Sequence, residues 1–292
     1  MYLNYFHFRM EPFSNTPDTR FLYLSRQHEE ALAAILYGIE NRKGFMLLAG
    51  EVGTGKTMLS RAIVSGLPEE VFVSVILNPM LSTTELLEAI NDDFGNDMAR
   101  GASGIKGELD ALNRFLLAAL EKGRNAVILI DEAQHLSFEA FEMLRMLSNL
   151  ETEEAKLLQI VFIGQKELDE MLSREEFRQL SQRISVRYLL GGLSMEETVE
   201  YILHRLSIAG GDGYVQFEMP AIALVHSGSR GIPRLINSIC DRALLEAYAS
   251  GKRIITKKIV KTAIKDIMGE LNARGVSAVR KKRLFSRSIW GR

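Results

Sequence analysis

The chain has 292 residues, 47% of them apolar, enough to fill the cores of two units of ordinary domain size, which excludes disorder as its main state. It carries 36 basic and 37 acidic residues, but seven of the basic ones and none of the acids lie after Glu270, which leaves residues 1–270 with a net charge of −8. An acidic body with a cationic end points to an anionic partner, a membrane surface or a nucleic acid, at the C-terminal end alone.

In chain order, an aromatic-rich start gives way to a helical pattern that Leu24-Ser25 opens and that runs to Ile39. Apolar runs at 45–49, 71–77, 126–130, 159–163 and 185–190 predict five buried strands. Helical patterns separate them: one at 57–66, one opened by the capping box Ser82-Thr83-Thr84-Glu85, an amphipathic one at 108–121, and one at 138–150 with Phe138, Phe141, Leu144 and Leu147 at core spacing. Strand and helix in alternation predict an α/β fold, a parallel five-stranded sheet with helices on both faces.

Beyond Gly191-Gly192 the strand pattern stops. A second capping box, Ser194-Met195-Glu196-Glu197, opens a helix to Ile208, and further helical patterns follow at 219–226, 233–248 and 256–268. The expected organisation is an α/β core at 1–190, a small all-helical domain at 191–270 with the glycine pair as hinge, and a basic, disordered tail at 271–292. The lone Cys240 lies in an apolar helical pattern and reads as a buried hydrophobe, and no HExxH or CxxC spacing suggests zinc. There is no apolar run of eighteen residues and no signal-peptide layout at the N-terminus, so a cytoplasmic chain is expected.

The strongest local signal is Gly50-Glu51-Val52-Gly53-Thr54-Gly55-Lys56-Thr57, which matches GxxxxGK[ST] between a predicted strand and a predicted helix. Glycines let main-chain amides wrap phosphate oxygens at a helix N-terminus, Lys56 reaches the outer phosphates, and the Thr57 hydroxyl can hold Mg²⁺. The expected nucleotide-binding segment is therefore Gly50 to Met58. The apolar run AVILI ends in Asp131-Glu132. Paired with Lys56, Asp131 reads as the group that orients a magnesium ion's waters, with Thr57, and Glu132 as the base that positions the attacking water.

These motifs, with the stretches PFSNTPDTRFLYLS, LIDEAQHLS, IVFIGQKEL, LSQRI and GIPRLINSICDRAL, resemble the AAA+ ATPases. Residues 1 to about 270 resemble, within that class, the ATPase region of the ExeA/GspA family of bacterial secretion proteins. The resemblance implies a P-loop NTPase core with a helical lid, ATP and Mg²⁺ as ligands, and hydrolysis at subunit interfaces of an ATP-dependent homo-oligomer, in ring form or otherwise. It implies an arginine finger at Arg183 acting on a neighbouring subunit, and a lid arginine, sensor 2, at Arg234. Gln165 stands at the sensor 1 position, where a shorter polar residue is usual in the family. Phe13, Tyr23 and Leu24 are candidates for the adenine pocket, or equally for ordinary core. His135 is either a relay to a partner or a plain surface histidine.

The resemblance further implies partners among membrane-associated secretion or pilus proteins, and a place at the inner face of the inner membrane. The 280–292 stretch, RKKRLFSRSIWGR, could meet anionic lipid through its cations, with Phe285, Ile289 and Trp290 as shallow anchors. The alternative is a DNA-associated regulator similar to transposition ATPases of the TniB/TnsC type. The acidic body, and the lack of a helix-turn-helix pattern after the lid, weigh against it.

Overall fold

Apolar runs such as 45–50 and 126–130 have to be covered on both faces, which sets the layers around the middle of the larger unit's sheet. The strand at 184–190, by contrast, leaves Ser185, Arg187 and Leu189 exposed and corrects the expectation of a buried fifth strand. A computed structural model describes residues 2–16, 18–101, 104–152, 155–211 and 213–267. Its helices are α1 (Tyr2–Tyr5), α2 (Arg26–Glu40), α3 (Lys56–Gly66), α4 (Thr83–Asp93), α5 (Gly104–Glu121), α6 (Phe138–Leu147), α7 (Lys166–Leu172), α8 (Arg178–Ser181), α9 (Met195–Ala209), α10 (Met219–Ser229) and α11 (Pro233–Ala249), with a further helical stretch at 257–267. The strands are β1 (Phe45–Gly50), β2 (Phe72–Ile76), β3 (Ala126–Ile130), β4 (Gln159–Gly164) and β5 (Ile184–Leu190), with short β6 (Gln216–Phe217) and β7 (Ile254–Ile255).

The chain divides into two compact units, Leu24–Gly191 and a second made of Met1–Tyr23 with Gly192–Arg292. In the first, five parallel strands lie in the order β2-β3-β4-β1-β5. Period-two alternation splits their side chains between two cores. Phe45, Leu47 and Ala49 of β1 join Ile128, Ile130, Ile160 and Phe162 against α4, α5 and α6. Met46 and Leu48 join Val127, Leu129, Val161 and Ile163 against Ile35 and Ile39 of α2 and Leu59 and Ile63 of α3. Of the expected stripe on α6, Phe141, Leu144 and Leu147 are core, while Phe138 is 47% exposed at its edge.

The second unit takes in the N-terminal segment, which corrects that segment's expected place in the α/β core at 1–190. Residues 2–23 pack with the helical unit, because Phe6, Phe8, Phe13 and Phe21 bury their rings among Ile202, Leu206, Ile222, Ile236 and Ala243. Buried Arg205 fastens the segment. Its guanidinium donates to the carbonyls of Pro12 and Ser14 and to the Tyr201 hydroxyl, and lies 4.5 Å from the Phe21 ring centroid. Tyr2 closes the start of the chain with a 2.8 Å hydrogen bond from its hydroxyl to Asp241. The helices of this unit include the expected ones, but β6 and β7 pair as a small parallel ladder that the sequence pattern does not announce. Cys240 is fully buried, as an apolar helix position requires. The 271–292 tail lies outside the described residues.

Candidate nucleotide-binding site

In this sheet order β1 lies between β4 and β5, and the next strand in sequence, β2, lies three places away. Such a reversal opens a crevice at the carboxyl ends of the strands, where open α/β sheets take their ligands. The loop 50–56 leaves β1 there, β3 delivers Asp131, and β4, between them, delivers Gln165.

The loop is built from turns that need positive φ at Gly53 (85°) and Gly55 (100°). Thr54, fully buried, closes its first bend by donating from Oγ1 to the Glu51 carbonyl at 2.9 Å. Gly55 is the N-cap of α3 and offers no capping side chain, so the first amides of an eleven-residue helix are left to a ligand. Lys56, the first residue of α3, is buried at 6% exposure and folds its ammonium back into the loop, donating to the carbonyls of Gly50 and Glu51 at 2.9 Å each. Burial lowers its pKa below the ordinary lysine value, against the pull of Glu132 and Asp131. Glu51 itself pairs with Lys166 at 2.7 Å on the surface, and Val52 and Thr57 are exposed.

Asp131 continues the β3 ladder through its amide, which donates to Ile76, and is 5% exposed. Its carboxylate accepts from the Thr57 hydroxyl at 3.3 Å and from the Glu132 amide at 2.9 Å. Burial pushes its pKa up, with the neighbouring Glu132 charge adding to the rise. Glu132 takes the left-handed conformation, φ 50°. Its carboxylate accepts from the side-chain amides of Gln134, at 2.5 Å, and Gln165, at 3.2 Å. Its partial burial raises the pKa, but those two donors and the Lys56 charge outweigh it and leave Glu132 below the usual range. The fit to a metal rests on this donor set. Among the described residues no three His, Cys, Asp or Glu side chains gather to hold an ion. One carboxylate with one hydroxyl suits a hard cation that keeps its waters and takes its remaining ligands from phosphate.

The structure thus brings Lys56, Thr57, Asp131, Glu132 and Gln165 together and leaves other candidates elsewhere. Gln165 is the N-cap of α7, and its main-chain amide donates to Gln134 Oε1 at 3.1 Å. Gln134 is therefore a site residue that the sequence reading passed over, although it stands two positions after Glu132. Arg183 is exposed just before β5, and its guanidinium donates to Ser148 and Asn149 at the C-terminal end of α6. Arg234 belongs to the helical unit, exposed in the first turn of α11 after Gly231-Ile232-Pro233. Gly231 is obligatory there: its φ is 72°, and a Cβ would lie 2.1 Å from the Leu193 carbonyl oxygen.

Of its two readings, adenine pocket or ordinary core, Phe13 takes the second: it is 2% exposed in the helical unit's core, edge-on to Phe217. Tyr23 packs on Tyr201 and donates to Glu200, also within that unit. Leu24 opens the sheet unit, half-buried ahead of α2. His135 is exposed. Among the described residues no helix is long and apolar enough to cross a membrane.

Comparison with known proteins agrees with this geometry. Residues 39–172, which contain the loop, the acid pair and Gln165, match the family model described as an AAA domain. The chain is 46% identical over 271 residues to general secretion pathway protein A of Aeromonas hydrophila, an alignment that takes in 92% of this chain and 49% of the relative. It thus spans about half the length of that curated relative. Among solved structures, the Aeropyrum pernix ORC2 protein, in its ADPNP-ADP complexes, superposes with a TM-score of 0.61 at 18% identity, over 88% of this chain and 72% of its own. Cdc6p from Pyrobaculum aerophilum does so at 0.63 and 17%, over 87% and 70%. At such identities these two speak to the fold alone. The secretion relative, alike over nearly the whole chain, and the AAA match on the strands that carry the site together make the chain a member of the AAA+ ATPases, of the general secretion pathway protein A type.

Proposed function

We propose that the chain hydrolyses Mg-ATP as an oligomer and spends the resulting change of shape on assembling or remodelling a cell-envelope secretion, pilus or exopolysaccharide complex. The observation that carries the catalytic half is the convergence of Lys56, Thr57, Asp131, Glu132 and Gln165 at one sheet edge. Loop amides and Lys56 bind the phosphates, Thr57 and Asp131 hold the magnesium ion through oxygen, and Gln165 with Gln134 orients the Glu132 carboxylate. When bound, the metal neutralises charge on the phosphates. Glu132, kept ionised by its amide partners, accepts hydrogen bonds from the attacking water and turns a lone pair toward phosphorus. Arg183, supplied by a neighbouring subunit, stabilises charge that develops on the transferring group, and Arg234 carries nucleotide state into the lid.

The biological half rests on similarity to a protein named for general secretion, and extends to a place at the inner face of the inner membrane. Exposed Lys252, Arg253, Lys257, Lys258, Lys261 and Lys265 run up to the cationic tail and support docking on an anionic membrane surface. Phosphate release measured with Mg²⁺, with EDTA and with Lys56→Ala tests the catalytic reading. Magnesium-independent turnover, or a Lys56→Ala variant as fast as the wild type, would defeat it. Mass measured with and without ATP tests assembly. Sedimentation with phosphatidylserine vesicles, against a chain ending at Glu270, tests the tail, and salt-sensitive, ATP-dependent DNA binding without vesicle binding would replace the membrane reading.

A further inference from the structure

We infer that His28 is a positioning residue for phosphate binding: it holds the Thr54 carbonyl and so aims the Gly55 amide of the loop. The inference rests on the reading of that loop as a nucleotide site and names a residue outside the motif that shapes it. His28 lies in the first turn of α2 and is 5% exposed. Its Nε2 is 2.8 Å from the Thr54 carbonyl oxygen. A carbonyl only accepts, so Nε2 carries the proton. Its Nδ1 is 2.6 Å from the hydroxyl of Ser25, the buried N-cap of the same helix. That hydroxyl accepts from the His28 amide at 3.4 Å and has its own proton to give to Nδ1. The ring is thus held at both ends.

Peptide planarity supplies the consequence. In a trans peptide the carbonyl and the following N–H point to opposite sides, so a Thr54 carbonyl fixed on His28 directs the Gly55 N–H away from it. Gly55 heads α3, where such amides meet phosphate. The fit is close: a Cβ at Gly55 would lie 3.0 Å from His28 Nε2. The same helical turn also grips the other end of the sheet unit, since Gln27 Oε1 accepts from the Gly191 amide at 2.9 Å. The turn begins two residues after Leu24, the first residue of this unit, and Gly191 is the unit's last. One turn of α2 therefore holds both the loop, through His28, and the last residue of the sheet unit, through Gln27.

The test is ADP binding by calorimetry on the whole chain, with His28→Gln, His28→Asn and Lys56→Ala, each also unfolded thermally without nucleotide. A glutamine amide reaches as far as the imidazole Nε2 and can donate to Thr54; an asparagine amide stops near the Nδ1 position. His28→Gln is expected to bind ADP within about twofold of the wild type, and His28→Asn about three- to tenfold more weakly, the worth of one neutral hydrogen bond. The unfolding temperatures of these two should match. Equal ADP affinity in His28→Asn and the wild type overturns the inference, and so does equal weakening in both His28 variants, which marks a packing role. If the wild type and Lys56→Ala alike fail to bind ADP, the nucleotide reading itself falls and takes the inference with it.

Discussion

Replacing Glu132 by glutamine separates binding from hydrolysis more cleanly than any other single change at the site. The amide keeps an oxygen that can accept from Gln134 and Gln165, so the side chain stays where those donors hold it. What is lost is the charge, and with it the pull on the attacking water. A positioned general base contributes about 10²- to 10⁴-fold, or about 3 to 5 kcal/mol of barrier, and steady-state phosphate release should fall by that factor. Nucleotide binding should not fall. The Glu132 charge helps push the Asp131 pKa up, so removing it makes Asp131 easier to ionise beside Thr57. A magnesium titration followed with a fluorescent ATP analogue should give an unchanged or tighter Kd. Turnover within tenfold of the wild type would remove Glu132 from the base role. A Kd weakened more than tenfold would show that it holds the ligand rather than the water.

Asp131 and Lys56 give opposite pH slopes to the nucleotide-free protein. The folded-state pKa of Asp131 is raised, so the folded state binds more protons and loses stability as pH rises from the ordinary aspartate range to the raised value; Asp131→Asn should flatten that slope in unfolding midpoints measured from pH 4 to 7. The Lys56 pKa is lowered, so stability returns as pH climbs from its folded value toward the ordinary lysine value, a rise that Lys56→Met should abolish. Arg205→Ala orphans the Pro12 and Ser14 carbonyls and removes the cation over Phe21, and should cost about 3 kcal/mol and expose the first 23 residues to limited proteolysis. Mixing inactive Arg183→Ala with inactive Lys56→Ala should restore some ATP turnover, because the mixture contains interfaces that pair an intact loop with an intact finger; no recovery at any ratio would place Arg183 in its own subunit's structure alone.

What the sequence made legible is what local spacing controls. The loop motif, the acid pair and the five strands each depend on residues a few positions apart, and the strand bounds differ from the expected ones by a residue or so. Residues that act across the chain were hidden. Gln134 matters only because β4 lies beside β3 and brings Gln165 within reach, and His28 only because the first turn of α2 meets Thr54. Neither pairing leaves a pattern in a single sequence. The placement of residues 2–23 failed for the same reason: four phenylalanines declare that they will be buried but not against which helices, and the Arg205 that fixes them lies some 190 positions on. Helix α7 was passed over because its seven residues show little beyond Leu168 and Leu172 to mark a face.

The two acids at the end of β3 also show why adjacency in sequence is not equivalence in role. Along a strand, consecutive side chains point to opposite faces, so an extended Asp131-Glu132 would put only one carboxylate on the side of Lys56. The chain escapes that alternation by placing Glu132 at φ 50°, a conformation that costs a non-glycine residue about 1 to 3 kcal/mol. The offset is local: the Glu132 amide donates to the Asp131 carboxylate, and two glutamine amides meet the Glu132 carboxylate. The turn leaves the acids in different surroundings. Asp131 is buried with few donors, so that it ionises at the expense of the fold and gains most from a cation; Glu132 is half-buried with amide donors, so that it stays charged without one. Environments that push neighbouring carboxyl groups in opposite directions suit them to different chemistry, and this difference supports the proposal that gives the metal to the first and the water to the second.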